Sequence, residues 1–333
     1  MNIFITYDYE LFFGTPTGSV EKCILQPTED IIKLGDETGA KFTFFIDAGY
    51  LKQLDVFRKK FPQLEKDYLA VVEQIKTLLT KGHACELHIH PHWENSYYSG
   101  KEWVMNTDQY KLSDFKENEA IAIVKEYAKV LSDITGLRPN TFRAGGWCLQ
   151  PFQPLKNVFS EIGIEIDSTV FRYGYFDKGN YYYDFRNIPD KEFWTFSSKI
   201  TEEDPSGDFC EFPIESHQYS PIFFWKLFIL GRLNKSMHKP IGDGYPMPSP
   251  GMRKEMLTKG KLLSASVDGY FVSKLQSILT RKEKLGHQNY VIIGHPKANT
   301  KFALNELKKF IKKNQNKHNF VPLNQAKLIN ALS

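Results

Sequence analysis

An α/β fold built on parallel strands is what this 333-residue chain predicts, and two observations carry it. Short apolar runs alternate with stretches of helical patterning, the signature of parallel strands joined by crossover helices. Residues suited to chemistry recur just past the ends of those runs, among them Asp8, His88, Arg143, Asp167 and His295. Groups gathered at the carboxyl ends of successive strands are what a barrel's active face requires.

The elements follow in order. Residues 2–7 read as a buried strand that runs straight into Asp8-Tyr9-Glu10. A helical stretch beginning near Thr28 precedes a second strand over 41–46. Helical patterning over about 64–80 leads to a short strand carrying a histidine cluster. Another helix, near 114–135, ends at Gly136 and precedes Thr141-Phe142-Arg143. A helix near 152–162 leads to a strand ending at Asp167, residues 209–213 form a sixth strand, and 290–293 form the last.

The densest chemistry lies in Glu86-Leu87-His88-Ile89-His90-Pro91-His92-Trp93. Three imidazoles within five residues are unusual for core filler. Pro91 makes a regular helix unfavourable, because it lacks an N–H and disfavours helical geometry in the residue before it. A strand-end loop that brings two imidazoles together fits better. Neutral imidazole is the commonest nitrogen ligand for zinc and similar ions. A satisfied structural histidine cluster is the alternative. In the first strand, Asp8 and Glu10 fall on one side if extended geometry persists, since side chains alternate. Two carboxylates there are costly unless paired or metal-bound; a solvated strand terminus is the plain alternative.

Together these segments resemble the polysaccharide deacetylase family, the NodB-homology proteins of carbohydrate esterase family 4. Gly82-His83-Ala84-Cys85-Glu86-Leu87-His88 followed by Ile89-His90-Pro91-His92 is similar to the family's second motif, whose last two histidines bind the metal. Asp8-Tyr9-Glu10 is similar to the first, Arg143-Ala144-Gly145-Gly146-Trp147 to the third, Asp167-Ser168-Thr169 to the fourth and Ile293-Gly294-His295 to the fifth. Five motifs occur in the family's order. Asp-Tyr-Glu and His-x-His-Pro-His-Trp resemble the WalW-like branch. Two departures stand out: Tyr9 replaces a second aspartate, shifting the metal carboxylate to Glu10, and Ile89 replaces a serine or threonine.

The resemblance implies a distorted seven-stranded (β/α) barrel over one domain, 1–333, and a metal-dependent N-deacetylase acting on an amino sugar of a cell-surface polysaccharide pathway. It implies Glu10, His88 and His92 as ligands of a divalent metal, Zn2+ first, with Co2+, Ni2+ or Mn2+ as alternatives. Such an ion would leave positions open for water and the substrate carbonyl. Asp8 would be the base, kept ionised by Arg143, and His295 the acid, favoured as imidazolium by Asp167. The backbone N–H of Gly146 would receive the oxyanion. Trp147 and Trp93 could stack on a sugar, although core packing explains both. A deformylase or other C–N amidohydrolase stays open within this chemistry. A non-catalytic saccharide-binding protein is the alternative from another class, weakened by the presence of both Asp8 and His295.

Composition sets further bounds. The net charge of +4 is too diffuse to argue nucleic-acid binding. Cys23, Cys85, Cys148 and Cys210 form no CxxC pair, so neither a zinc ribbon nor a disulfide framework is implied. No apolar run reaches membrane-spanning length, and Met1-Asn2 enters the first strand with no signal sequence. These observations predict a cytoplasmic protein and a saccharide precursor, nucleotide-linked or lipid-linked, as substrate. The basic residues 308–313 read as the solvated face of an amphipathic helix. The tyrosine-rich stretch 173–199 reads equally as a saccharide groove or an aromatic hairpin. Residues 216–268 form a long insertion, with a proline- and glycine-rich ordered loop at 240–251. Within it, 222–230 is apolar on all sides except Lys226, either a buried helix or a surface touching lipid or a partner.

Overall fold

The structure is a computed structural model and describes residues 1–247 and 251–326. The chain divides into two compact units, each of mixed α/β structure. One comprises Met1–Ala40 and Ile214–Val321, the other Lys41–Pro213 with the final segment from Pro322.

The first unit is built on the strand Asn2–Tyr9, all eight residues of which are buried. Cover on both faces explains its near-continuous apolar sequence, as in other parallel sheets. It pairs in parallel with Asn289–Gly294, Tyr7 opposite Gly294, and with Asn319–Phe320. Parallel bridges Ile214 to Val291 and Ser266 to Ile293 flank the strand Asn289–Gly294. The helix Lys301–Asn314 is capped by the Thr300 hydroxyl, which accepts from Ala303 N at 3.0 Å. It buries Leu307, Phe310 and Ile311 and turns its lysines outward, as the amphipathic pattern predicts.

The insertion belongs to this unit. Ser216–Tyr219 and Lys261–Ser264 pair antiparallel and flank the helix Pro221–Leu233. Ser220 caps that helix, its hydroxyl accepting from Phe223 N, and Pro221 occupies the first turn, where a missing N–H costs nothing. Phe223 and Phe224 join Tyr219 in a small core of their own, against Leu263, Tyr270 and Phe271. Burial therefore claims only one face of the apolar segment. Ile222, Trp225 and Ile229 stay exposed, and Phe228 is half-buried. The loop expected at 240–251 falls partly outside the described residues. Its described part is pinned by Asp243, which accepts from Ser19 N and Oγ at 2.7 and 2.8 Å.

In the second unit six strands run side by side in the order 194–196, 209–211, 166–167, 141–144, 84–89, 43–47. All neighbours are parallel except Trp194–Phe196 against Phe209–Glu211. The helices Gln63–Thr80, Glu117–Thr135 and Lys156–Ile162 stand where periodicity predicts them, within a few residues. The helix Ala48–Arg58 is an addition to the elements that periodicity predicts; it springs directly from the strand Thr43–Asp47, with Asp47 as its N-cap. Tyr175–Lys178 and Tyr181–Asp184 form the aromatic hairpin.

All four cysteines are buried free thiols. Among the described residues no helix is long and apolar enough to cross a membrane.

Candidate active site

In the first unit, Asp8 is the penultimate residue of the strand Asn2–Tyr9 and Glu10 follows that strand, both buried. His295 stands just past the parallel neighbour Asn289–Gly294. Its Nε2 lies 3.8 Å from Asp8 Oδ2 and 4.0 Å from Glu10 Oε1. Both carboxylates thus reach one imidazole, as same-side alternation requires. Tyr9 between them is buried.

Asp268 organises this group. Its carboxylate accepts from His295 N at 2.8 Å and lies 2.7 Å from His295 Nδ1. Asp268 is therefore a carboxylate partner of His295 that the sequence motifs do not name. Burial works to lower the imidazole's pKa, but Asp268, Asp8 and Glu10 outweigh it, and the net shift is upward. That upward shift favours the imidazolium form.

Lys297 is a second unforeseen member. Its buried ammonium donates to Glu10 Oε1 at 2.8 Å and to Leu11 O at 2.6 Å, over the rings of Phe12 and Phe13. A buried lysine needs such partners to stay charged. Glu10 is thereby fixed in position.

In the second unit a row of polar side chains crosses the carboxyl ends of the parallel strands. Asp47 stands opposite His88, His88 opposite Arg143, and Asp167 opposite Glu211. His88 Nδ1 lies 2.8 Å from the Arg143 carbonyl oxygen. A carbonyl can only accept, so Nδ1 carries the hydrogen and Nε2 keeps its lone pair. That is how a metal-ligating histidine is commonly oriented.

His90 packs edge-on to both His88 and His92, with ring centroids 4.8 and 5.2 Å apart. The nearest ligand nitrogens of His88 and His90 lie within 4.8 Å of one another. His92 stacks between Trp93 and Tyr110, at 5.8 and 5.6 Å. His88 and His90 therefore stand at ligand-type spacing, and the sequence motif pairs His88 with His92.

Trp93 is fully buried, and its indole N–H donates to Asp47 Oδ2 at 2.6 Å. No ring face is left for a sugar, so the stacking role considered for Trp93 is corrected to core packing. Asp47→Ala should leave that donor unsatisfied and uncap the helix Ala48–Arg58. We expect a loss of about 1–3 kcal/mol in urea unfolding; a loss below about 0.5 kcal/mol would show that Asp47 does not support the indole.

Arg143 is buried, its Nε donating to Ser168 O at 2.8 Å and its guanidinium lying over Phe45. Asp167 accepts from Thr169 N at 2.8 Å, and Glu211 Oε1 accepts from Val170 N at 3.1 Å. Burial raises the pKa of both acids, and Asp167 raises that of Glu211 further. Among the described residues no donor reaches Glu211 Oε2. The two facing acids thus favour sharing a proton over both being ionised.

After Arg143 the chain turns sharply. Gly146 has φ +57°, and a Cβ there would meet the Tyr110 and Tyr181 hydroxyls at 2.6 and 2.8 Å. A Cβ at Gly145 would strike the His90 ring at 2.4 Å. Both glycines admit close side chains as well as a turn. Trp147, also at positive φ, packs edge-on to Phe171 and Tyr183 and is half-buried.

No protein-family model matches this sequence, and no curated protein matches it. Solved structures do. The fold is similar to that of a "putative polysaccharide deacetylase" from Mycobacterium smegmatis, with a TM-score of 0.57 at 14% identity, covering 99% of this chain and 90% of that one. A 4-alpha-glucanotransferase from Thermococcus litoralis aligns with a TM-score of 0.49 at 11% identity, over 98% of this chain and 38% of its own. Peptidoglycan deacetylase PdaC from Bacillus subtilis gives 0.39 at 11% identity, over 99% and 92%.

Proposed function

We propose that this protein is a metal-dependent hydrolase that removes an N-acyl group, N-acetyl first, from an amino sugar. The observation that carries the reading is the set Asp8, Glu10, Asp268 and His295: two carboxylates from one strand end facing an imidazole that a third carboxylate orients. The fold likeness to the Mycobacterium protein supports it, and so does the order of the five motifs. The seven-stranded barrel, the single domain over 1–333, the WalW-like branch and a cytoplasmic setting belong to the same proposal.

Glu10, His88 and one of His90 or His92 would hold the divalent ion, for which Zn2+ is the first candidate. The donor set fits, because a buried imidazole already donating through Nδ1 offers Nε2 to a metal. Once bound, such an ion would polarise the amide carbonyl and acidify a water. Asp8 takes a proton from the attacking water as the water's oxygen adds to the carbonyl carbon. Gly146 N–H would receive the oxyanion. His295 gives its proton to the nitrogen, the C–N bond breaks, and free amine and carboxylate result. Trp147, half-buried, would stack on the sugar. Arg143 would keep Asp8 ionised.

The test is acetate release from N-acetylglucosamine oligomers and from nucleotide-linked N-acetylglucosamine, with and without added Zn2+, Co2+, Ni2+ or Mn2+. Metal content is the second readout. His88→Ala should lower metal affinity by at least about 10²-fold, and the true partner should show the same loss when His90→Ala and His92→Ala are compared. Unchanged metal content in all three would remove the metal from this reading.

A further inference from the structure

We propose that the helix Pro221–Leu233 docks the protein onto an anionic phospholipid surface. Its inward face is committed, because Phe223 and Phe224 are buried in the insertion's own small core. Its outward face is apolar too. Ile222, Trp225, Ile229 and Leu233 are 69, 52, 47 and 81% exposed. At about 100° per residue these four fall within roughly 80° of arc, a single stripe. Lys226 and Arg232 are exposed and flank that stripe on opposite sides, where long basic side chains can reach headgroups while their stems cover apolar surface.

Charge selects the occupant. Residues 216–268 contain eight Lys/Arg against three Asp/Glu, an excess of five in a chain whose total is +4. The rest of the molecule sums to −1, so the segment that contains this helix carries the whole of the net positive charge. No Asp or Glu occurs from 216 to 242. An apolar stripe bordered by bases fits an interfacial helix on anionic lipid. A second copy would bring the same positive charge and be repelled. The Trp225 indole N–H, tied to Leu257 O at 3.2 Å, holds its ring at the exposed face.

The docking needs none of the chemistry proposed above, so each reading can fail alone. Sucrose-loaded vesicles of phosphatidylcholine with about 30% phosphatidylglycerol should co-sediment the full-length protein, and pure phosphatidylcholine should not. Added salt should release it. The exposed double variant Ile222→Ser/Leu233→Ser should weaken partition at least about tenfold with an unchanged melting temperature. Lys226→Glu/Arg232→Glu should abolish the preference for anionic lipid. Equal binding to both vesicle types, or a serine variant that partitions like wild type, would overturn the proposal. So would a wild-type dimer that the serine variant lacks, since a second copy would then cover the stripe.

Discussion

Asp8→Asn is expected to lower amide hydrolysis by about 10²–10⁴-fold, the contribution of a lost general base, while fold and metal content stay as in wild type. Asparagine matches aspartate in shape but cannot accept the water's proton. The site tolerates that change in charge, because Asp8 faces His295 at 3.8 Å while the imidazole's main carboxylate partner, Asp268, is untouched. Glu10→Gln should behave differently. It removes the partner of buried Lys297, and breaking a buried ion pair costs about 3–5 kcal/mol. The neighbouring carboxylates are therefore separable by experiment: one variant is stable and inactive, the other destabilised. Turnover of acetate release, metal content and thermal melting measured on both variants decide the matter. Asp8→Asn turnover within about threefold of wild type would sink the base assignment.

Much of this arrangement was legible in the sequence. Strands 2–9 and 289–294 are buried throughout, so their centres read as apolar runs, and the chemistry at their ends stood out against them. Asp8, Glu10 and His295 could be named because strand alternation and motif order agree. Asp268 could not. It lies 27 residues before His295, at the end of the insertion, and only the bridge Ser266 to Ile293 brings it alongside. Lys297 follows His295-Pro296 and reads as a surface loop residue; its burial over Phe12 and Phe13 is wholly tertiary. Glu211 sits in an ordinary short strand, and only its register opposite Asp167 makes it a paired acid. The helix Ala48–Arg58 was hidden because no loop separates it from its strand, although Asp47 was a usable N-cap signal.

Loss of the acid should be as costly as loss of the base, and its positioning residue should reveal itself through pH. His295→Ala is expected to lower turnover by about 10²–10⁴-fold. Asp268→Asn keeps the imidazole but removes the leading cause that raises its pKa, so less of it is protonated at neutral pH. Activity of the wild type should fall on the alkaline side as His295 loses its proton, and Asp268→Asn should move that fall to lower pH. The same linkage applies to stability. A histidine whose folded pKa is raised adds stability that is fully present below its unfolded value, about 6.5, and is lost as pH rises through the folded value. Metal-free wild type should therefore lose this increment above neutrality, whereas Asp268→Asn should lose a smaller one at lower pH. Proton NMR of the His295 ring, with His295→Ala to assign it, measures the shift directly. A titration midpoint at or below about 6.5 in the metal-free wild type, or one that Asp268→Asn leaves in place, would mean that Asp268 does not tune the acid.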